Sequence, residues 1–369
     1  MARQDQEQAK IERLRLRLIE WYGRNRRDLP WRNSLGPYAI WVSEIMLQQT
    51  RVAVVVERYE AFMARFPTLV SLAEASEQDV LALWSGLGYY RRARMLHKAA
   101  NFVASNYEGN LPATSVELRA LPGIGAYTAA AIASIAYGEP VAVVDGNVER
   151  VLCRMAGWES ASRAGAAALR RKIEKLAARM VDPERPGDFN QAVMELGAIV
   201  CLPRNPKCLV CPVSADCKTR GEHKTSPRPR MLSREVGHAL SVRMGRSAGK
   251  ARGAVSREVL LEQRPETQTV MPGLWELPVL RESAVPEKDL RMTVRHAIMQ
   301  VNYYVRIRTV FEDDVDAMTV PGDVRIWVPL SEAARMALTG LTRKVLSRAH
   351  LLPTLALDTI APRRDRDVL

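Results

Sequence analysis

The sequence has no long apolar run. Nowhere in its 369 residues does an uninterrupted apolar stretch approach the ~18 residues that a membrane-spanning helix needs. Its first residues, MARQDQEQAKIERLR, are polar and of mixed charge where a signal peptide would be apolar. The expectation is a soluble, intracellular protein. Cysteine is scarce, five residues in all, and four of the five lie between 201 and 217. In a reducing compartment such a cluster reads as metal ligation before disulfides. Internal repeats and low-complexity tracts are missing. With 47% apolar and 26% charged residues, wholesale disorder is excluded. Acidic residues are outnumbered, 41 against 54 Lys plus Arg, for a net charge of +13. That excess points toward a polyanion, although charge alone does not decide for nucleic acid. The length suits two or three domains rather than one small module.

The texture changes along the chain. Up to residue 217 apolar residues recur at three and four, as in IERLRLRLIEWY (11–22), WVSEIMLQQTRVAVVVERYEAFMARF (41–66), ALRRKIEKLAARM (168–180) and FNQAVMELGAIVC (189–201). This predicts an all-helical domain over 1–217. Residues 218–233 read as a basic linker: from Lys218 to Gly253 there are ten Lys or Arg against two Glu, with Pro227 and Pro229 among them. Over 234–369 the period moves toward two. It is clearest in HAIMQVNYYVRI, where Ala297, Met299, Val301, Tyr303, Val305 and Ile307 alternate with mostly polar neighbours. VGHALSVRM, VSREVLLEQR and VRIWVPL are further strand candidates, and SEAARMAL and LTRKVLSRAHLL read as helices. The expectation here is a small α+β domain.

Four features carry chemistry. Leu121, Gly123 and Gly125, in LPGIG, join the short helix candidate SVELRA to the Ala-rich AYTAAAIASIAYG. Glycines allow a tight turn and close approach, and the second helix begins with unpaired N–H groups that can hold a phosphate of DNA; taken alone, the pentapeptide fits a plain helical turn equally well. Cys201, Cys208, Cys211 and Cys217, separated by six, two and five residues, can close four thiolates around one tetrahedral centre. All-cysteine ligation suits a [4Fe-4S] cluster or structural zinc, and with a single C-x2-C knuckle the cluster is favoured. Cys153 reads as a small core residue.

Glu44 is the one charge in AIWVSEIMLQQT, with Ile40, Trp41, Ile45 and Leu47 around it. A carboxyl kept from water has its pKa raised, as a proton donor at neutral pH requires; a surface or core-satisfied Glu is the alternative. Asp145, in VAVVDGNVERV, follows an apolar run and precedes a helix, the setting of an N-cap. The two roles are compatible, since a carboxylate held by helix N–H groups can stabilise a developing cation.

Together WVSEIMLQQTRV, GLGYYRRARML, LPGIGAYTAAAI, VDGNVERVLCR, FNQAVMELGAIVC and the four-cysteine loop resemble the helix-hairpin-helix DNA glycosylases, with the adenine-DNA glycosylase branch the nearest in motif. The likeness covers roughly residues 10–217 closely and the remainder loosely. It implies an adenine-specific N-glycosylase of base-excision repair, working in the cytoplasm at the nucleoid on double-stranded DNA with an A:8-oxoguanine or A:G mispair, as a monomer and without membrane contact. Glu44 would protonate adenine at N7 and help activate water. Asp145 would stabilise the oxocarbenium ion at C1′, with Tyr127 and Asn147 supporting both. Bifunctional relatives carry Lys at the position of Tyr127, so no Schiff base, and hence no efficient strand cleavage, is expected. Arg32, Trp31 and Gln191 resemble residues lining the adenine pocket, while Gln49 and Tyr89 resemble side chains inserted into the helix beside the lesion. The cysteines would carry a [4Fe-4S] cluster that holds a DNA-contacting loop.

The stretch VLLEQRPETQTVMPGLWELP resembles a Nudix-like lesion-recognition domain, without the glutamate-rich helix that pyrophosphate hydrolysis needs. Where such domains commonly carry Phe-Ser-His, this chain has His296-Ala297-Ile298-Met299-Gln300, which leaves Gln300 or the basic loop 245–253 as candidates for reading 8-oxoguanine. That loop also fits a solvated hairpin tip. Two other functions share these features: a thymine or uracil mismatch glycosylase on the same scaffold, and a DNA-binding protein that has lost catalysis.

Overall fold

The computed structural model describes residues 2–33, 36–159, 165–223, 230–246 and 255–352. The chain divides into two compact units, one made of Met1–Met63, Thr68–Ala73 and Lys98–Pro227, the other of Ala64–Pro67, Glu74–His97 and Arg228–Leu369. The second unit therefore takes in a helical segment that composition groups with the first.

Helices build the first unit: α1 (Ala2–Asn25), α2 (Pro37–Leu47), α3 (Val52–Arg65, of which the last two residues fall in the other unit) and α4 (Leu69–Ala73), then, beyond α5 (Glu77–Leu83) of the other unit, α6 (Arg91–Asn106, which starts in the other unit and enters this one at Lys98), α7 (Ser115–Leu118), α8 (Ala126–Ala136), α9 (Gly146–Ala156), α10 (Ala166–Met180) and α11 (Pro186–Ile199). In α1 the apolar spacing turns Leu14, Leu18 and Ile19 to one face. They pack on Val151, Leu152 and Met155 of α9, Ile173 and Ala177 of α10, and Val193 and Leu196 of α11. Leu18 is fully buried, and its truncation to Ala would cost roughly 2–5 kcal/mol. Helix α2 is buried from Ala39 to Met46, which explains its almost uncharged sequence.

The predicted helix over 41–66 is interrupted. Helix α2 ends at Leu47 and α3 begins at Val52, and between them Gln49 adopts φ 56°. Neither Gly nor Pro marks this break, and Gln is not among the residue types, Asn, Asp and His, that otherwise signal left-handed backbone.

In the second unit, β1 (Leu232–Leu240) pairs in parallel with β6 (Val301–Thr309), which pairs antiparallel with β5 (Leu290–Ile298). In a further sheet β3 (Val255–Gln263) is flanked by β2 (Val242–Arg246), β4 (Trp275–Glu276) and β7 (Val324–Pro329). Short α12 (Val315–Met318) and α13 (Leu330–Ala333) and the longer α14 (Gly340–Arg348) complete an α+β arrangement. The core joins Val259, Leu261, Val294, Val305, Ile307 and Val328 to Val345 and Leu346 of α14.

Two strand expectations are corrected. VGHALSVRM is divided at Ser241 between β1 and β2, and HAIMQVNYYVRI is a hairpin whose two-residue turn is Met299-Gln300, with Met299 at φ 53°. A two-residue turn pairs odd positions with even ones. Val294 therefore faces Val305 and Met292 faces Ile307, whereas Ala297, expected to share the face of Val305, is exposed. SEAARMAL keeps only one helical turn, α13. Most of the basic loop 245–253, and linker residues 224–229, lie outside the described residues. No helix among the described residues is long and apolar enough to cross a membrane.

Candidate active site

Helices α2, α8 and α11, the N-terminus of α9 and the single turn Pro30–Arg32 converge on a cavity of about 750 Å³ in the first unit. Trp31, Arg32, Glu44, Gln49, Tyr127, Asp145, Asn147 and Gln191, eight of the residues singled out by sequence, line it together with Gly123 and Gly125.

Glu44 enters from α2, only 7% exposed. The Tyr127 hydroxyl, on α8, donates to its Oε2 at 2.6 Å. Burial, with the Asp145 charge adding to it, pushes the Glu44 carboxyl up to about 7, while the Tyr127 hydrogen bond and Arg32 pull the other way. Desolvation exceeds the other effects because an ion without bulk water loses more than one hydrogen bond returns. The group is therefore poised to give or take a proton at neutral pH. Burial and the adjoining Glu44 hold the Tyr127 phenol protonated, well above its usual range. Met194 Sδ lies 3.5 Å from the same hydroxyl.

Asp145 is the N-cap of α9, with its Oδ1 accepting the Val148 N–H at 2.7 Å. Its Oδ2 accepts from Asn147 Nδ2 at 3.1 Å. Asn147 Oδ1 in turn accepts from Arg150 Nη2, which also donates to the Gly197 carbonyl, while Arg150 Nε reaches the Cys201 carbonyl at 2.8 Å. A Cβ on Gly197 would stand 2.7 Å from Asn147 Cβ, so α9 and α11 approach this closely only at a glycine. The cap is thus fixed at its helix end by backbone amides and at its outer oxygen by a side-chain chain leading to the cysteine loop.

Another part of the lining is ionic. Glu195 of α11, 1% exposed, takes Arg27 Nη2 at 2.7 Å and Arg32 Nη2 at 2.8 Å, and Arg27 also donates its backbone N–H and Nε. Against the cost of burial, these donors hold the Glu195 carboxyl down at about 2. Arg32 lies over the Tyr22 ring at 5.3 Å, and the Tyr22 hydroxyl donates to Gln191 Oε1 at 3.0 Å. Trp31 meets Tyr59 edge-on, ring centroids 5.5 Å apart. Sequence reasoning passed over Glu195, Arg27 and Tyr22. The signal that singled out Glu44, a lone acid in an apolar helical stretch, was equally present in AVMELGAIV.

The LPGIG turn brings Gly123, at φ 75°, to the cavity rim, and Gly125 is the N-cap of α8, with open space where a Cβ would stand. The Leu121 side chain is buried, so this residue can offer a ligand only its backbone. Tyr89 belongs to the second unit.

All four cysteines of the 201–217 loop border a small cavity of about 20 Å³. Arg154 closes it, donating from Nη1 to Cys201 Sγ at 3.4 Å and to the Leu202 carbonyl at 2.6 Å. Burial, together with the neighbouring Cys201, Cys217 and Cys208, pushes the Cys211 thiol up to about 11. The donor set, four soft sulfurs with no carboxylate or imidazole in the lining, fits an iron-sulfur cluster or zinc. Among the described residues no group of three or more His, Cys, Asp or Glu side chains is arranged to hold a metal ion as it stands.

Compared with known proteins, residues 42–179 match the HhH-GPD superfamily of base excision DNA repair proteins. The adenine DNA glycosylase of Homo sapiens is 48% identical over 223 residues, 58% of this chain and 40% of that protein. The adenine DNA glycosylase of Arabidopsis thaliana is 40% identical over 317 residues, 74% of this chain and 48% of that protein. The chain thus spans about half the length, or less, of these relatives. Among solved structures, that of a thermostable thymine-DNA glycosylase superposes with TM-score 0.51 at 28% identity, over 57% of this chain and 97% of that one.

Proposed function

Residues 42–179 of this chain match the HhH-GPD superfamily of base excision DNA repair proteins, and on that premise we propose that the chain is a monofunctional adenine DNA N-glycosylase acting on adenine mispaired with 8-oxoguanine or guanine. The observation that carries the reading is the pairing, across one cavity, of a carboxyl held near neutrality with a carboxylate whose two oxygens both act as acceptors. The cavity volume is in the range of sites that enclose one small ligand, as an extruded nucleoside would be, since a base inside a duplex is out of reach of any side chain.

In this reading Glu44 delivers its proton to N7 of adenine as the C1′–N9 bond breaks and the bonding electrons leave with the base. Asp145 stabilises the positive charge that develops at C1′. Water adds to C1′, and the proton it loses goes to the Glu44 carboxylate, which regenerates the acid. This parallels the division of labour between two carboxyl groups in sugar hydrolysis. Arg32, Trp31 and Gln191 line the base pocket. Among the described residues that line the cavity there is no lysine to form a Schiff base, which supports base removal without strand cleavage.

DNA enters through the glycine turn and the N-terminus of α8, with Gln49 and Tyr89 as inserted side chains. Both stand in left-handed backbone, Gln49 at φ 56° and Tyr89 at φ 48°, the kind of strained conformation that concentrates at functional sites. The cysteines would hold a [4Fe-4S] cluster, which supplies structural closure of their loop and takes no part in base removal. The second unit, with its two sheets and α14, is assigned to lesion recognition as a Nudix-like domain, and the exposed hairpin tip Met299-Gln300 is its candidate reading element.

The identity to adenine-acting relatives, 40–48%, favours adenine over the thymine named for the structural neighbour at 28%. Duplexes carrying A:8-oxoguanine, A:G and T:G, incubated under single-turnover conditions and treated with alkali, test this choice. Cleavage of the A strand only after alkali is expected; cleavage confined to the T strand would reverse it. Anaerobically purified protein is expected to be brown and to contain iron and sulfide, and a colourless zinc protein would overturn the cluster assignment.

A further inference from the structure

The turn that presents Tyr89 lies in the second unit, between α5 and α6, and its backbone is unusual. Gly86, Gly88 and Tyr89 adopt φ of 98°, 69° and 48°, three left-handed residues among four. Tyr89 has a Cβ, which disfavours this backbone conformation intrinsically, so the contacts around it must hold it there. Half of Tyr89 is exposed.

On one side the turn is held by its own segment. Trp84 Nε1 donates to the Gly88 carbonyl at 3.1 Å, and Arg92 Nη2 donates to the carbonyls of Leu87 and Gly88. The Arg92 guanidinium lies 5.4 Å from the Trp84 ring and 5.5 Å from the Tyr89 ring. On the other side it is held from much later in the chain. The buried Tyr90 donates its hydroxyl to the Leu338 carbonyl at 3.1 Å. Ser85, also buried, donates to the same carbonyl at 3.4 Å and accepts from Arg343 Nε at 2.7 Å. Leu338 is fixed in turn: the Trp275 N–H donates to the Ala337 carbonyl and the Thr339 N–H to the Trp275 carbonyl, both at 2.9 Å. Strand β4, the 337–339 backbone, the Ser85 and Tyr90 hydroxyls and the Tyr89 turn thus form one hydrogen-bonded series.

We propose that Ser85, Tyr90 and Arg343 are positioning residues through which the C-terminal part of the chain sets the conformation of Tyr89, so that the side chain inserted beside the mispair is presented by the lesion-recognition fold. This rests on the reading of Tyr89 as an inserted side chain. None of the three need touch DNA; each acts by keeping Tyr89 in a backbone well that it would leave if released. A purely structural role would lower stability and weaken binding independently of what stands at position 89. A positioning role has no effect once the Tyr89 side chain is gone.

A double-mutant cycle separates these. Equilibrium binding is measured by fluorescence anisotropy with the full chain, on a matched duplex and on one with 8-oxoguanine opposite 2′-fluoro-2′-deoxyadenosine, whose electron-poor sugar resists cleavage. The proteins are wild type, Y89A, Y90F, R343M, Y89A/Y90F and Y89A/R343M. Y90F removes one oxygen and keeps the packing, so the test survives if R343M folds poorly. Y90F and R343M are each expected to lose about fivefold of the preference for the mispaired duplex, the size of one lost hydrogen bond, and to cause no further loss in the Y89A background. If Y90F retains the full wild-type preference, or if the losses multiply with that of Y89A, the proposal is overturned. If Y89A itself binds like wild type, the proposal falls through its premise. Because binding is read without cleavage, either result is distinct from failure of base release, which would count against the glycosylase reading instead.

Discussion

Two buried carboxylates line one cleft, and their surroundings drive them in opposite directions. Glu44, on the uncharged α2, faces a phenol and another acid, and its carboxyl rises to about 7. Glu195, on α11, faces two guanidinium groups and a backbone N–H and falls to about 2. Burial alone would raise both. The difference lies in the number of cationic donors within hydrogen-bond reach, and it divides the work: the Glu44 wall can move a proton near pH 7, while the Glu195 wall is a fixed ionic brace that orients Arg32 over Tyr22 and toward the cavity.

The largest expected effect breaks the Glu44 wall. E44Q keeps the shape and removes the transferable proton, and D145N keeps the cap but removes the charge facing C1′. Each is expected to lower the single-turnover rate constant at least ~10³-fold, of the order seen when an essential acid or a charge-stabilising group is removed. Retention of more than a tenth of the wild-type rate by either would erase the asymmetry between the walls.

Next in size is the brace. E195Q leaves Arg27 and Arg32 without their buried counter-charge and should cost about 3 kcal/mol of stability, read as a lower denaturant midpoint. An unchanged midpoint would mean that the ion pairs contribute nothing net. The stability contributed by Glu195 is present above its ordinary pKa and is lost as pH falls toward about 2, so the penalty of E195Q should shrink in acid.

The third effect has the opposite sign. The folded protein holds the Glu44 proton to about 7, where the unfolded chain releases it near 4.5; ionising Glu44 therefore costs stability as pH rises through this window. At pH 8, E44Q should be more stable than wild type by up to about 3 kcal/mol, and at pH 4 equal to it. Equal midpoints at both pH values would contradict the burial cost. The smallest expected change sharpens the comparison: Y127F removes a donor to the Glu44 carboxylate, so the carboxyl should rise further and the alkaline limb of the rate profile move up by about half a pH unit. A downward move would reverse the assigned role of the phenol.

How much of this was legible in the sequence depended on whether the cause was local. Glu44 stood out because an acid in an apolar helix has no solvent face, and Asp145 because its cap is set by its immediate neighbours. Glu195 carried the same local signal as Glu44 and was passed over; its partners Arg27 and Arg32 come from more than 160 positions away, so nothing nearby showed that it would be held ionised. The breaks at Gln49 and at Met299-Gln300 were hidden because neither Gln nor Met is a residue type that commonly marks left-handed backbone. For the hairpin the continued alternation even pointed to the wrong face for Ala297. Residues 74–97 are tied to the rest of the second unit by contacts such as Tyr90 to the Leu338 carbonyl and Arg343 to Ser85, about 250 positions apart, and Arg94 to the Pro272 carbonyl, 178 apart, which no periodicity encodes.

The central claim, that Glu44 gives up a proton near neutral pH to an adenine whose sugar faces Asp145, is tested most directly by the pH dependence of the single-turnover rate constant for adenine release from an A:8-oxoguanine duplex. The account predicts a rate that falls above about pH 7 in the wild-type protein and a near-complete loss of release at every pH in E44Q. A rate that stays flat from pH 6 to 9, with E44Q following it, would contradict the account.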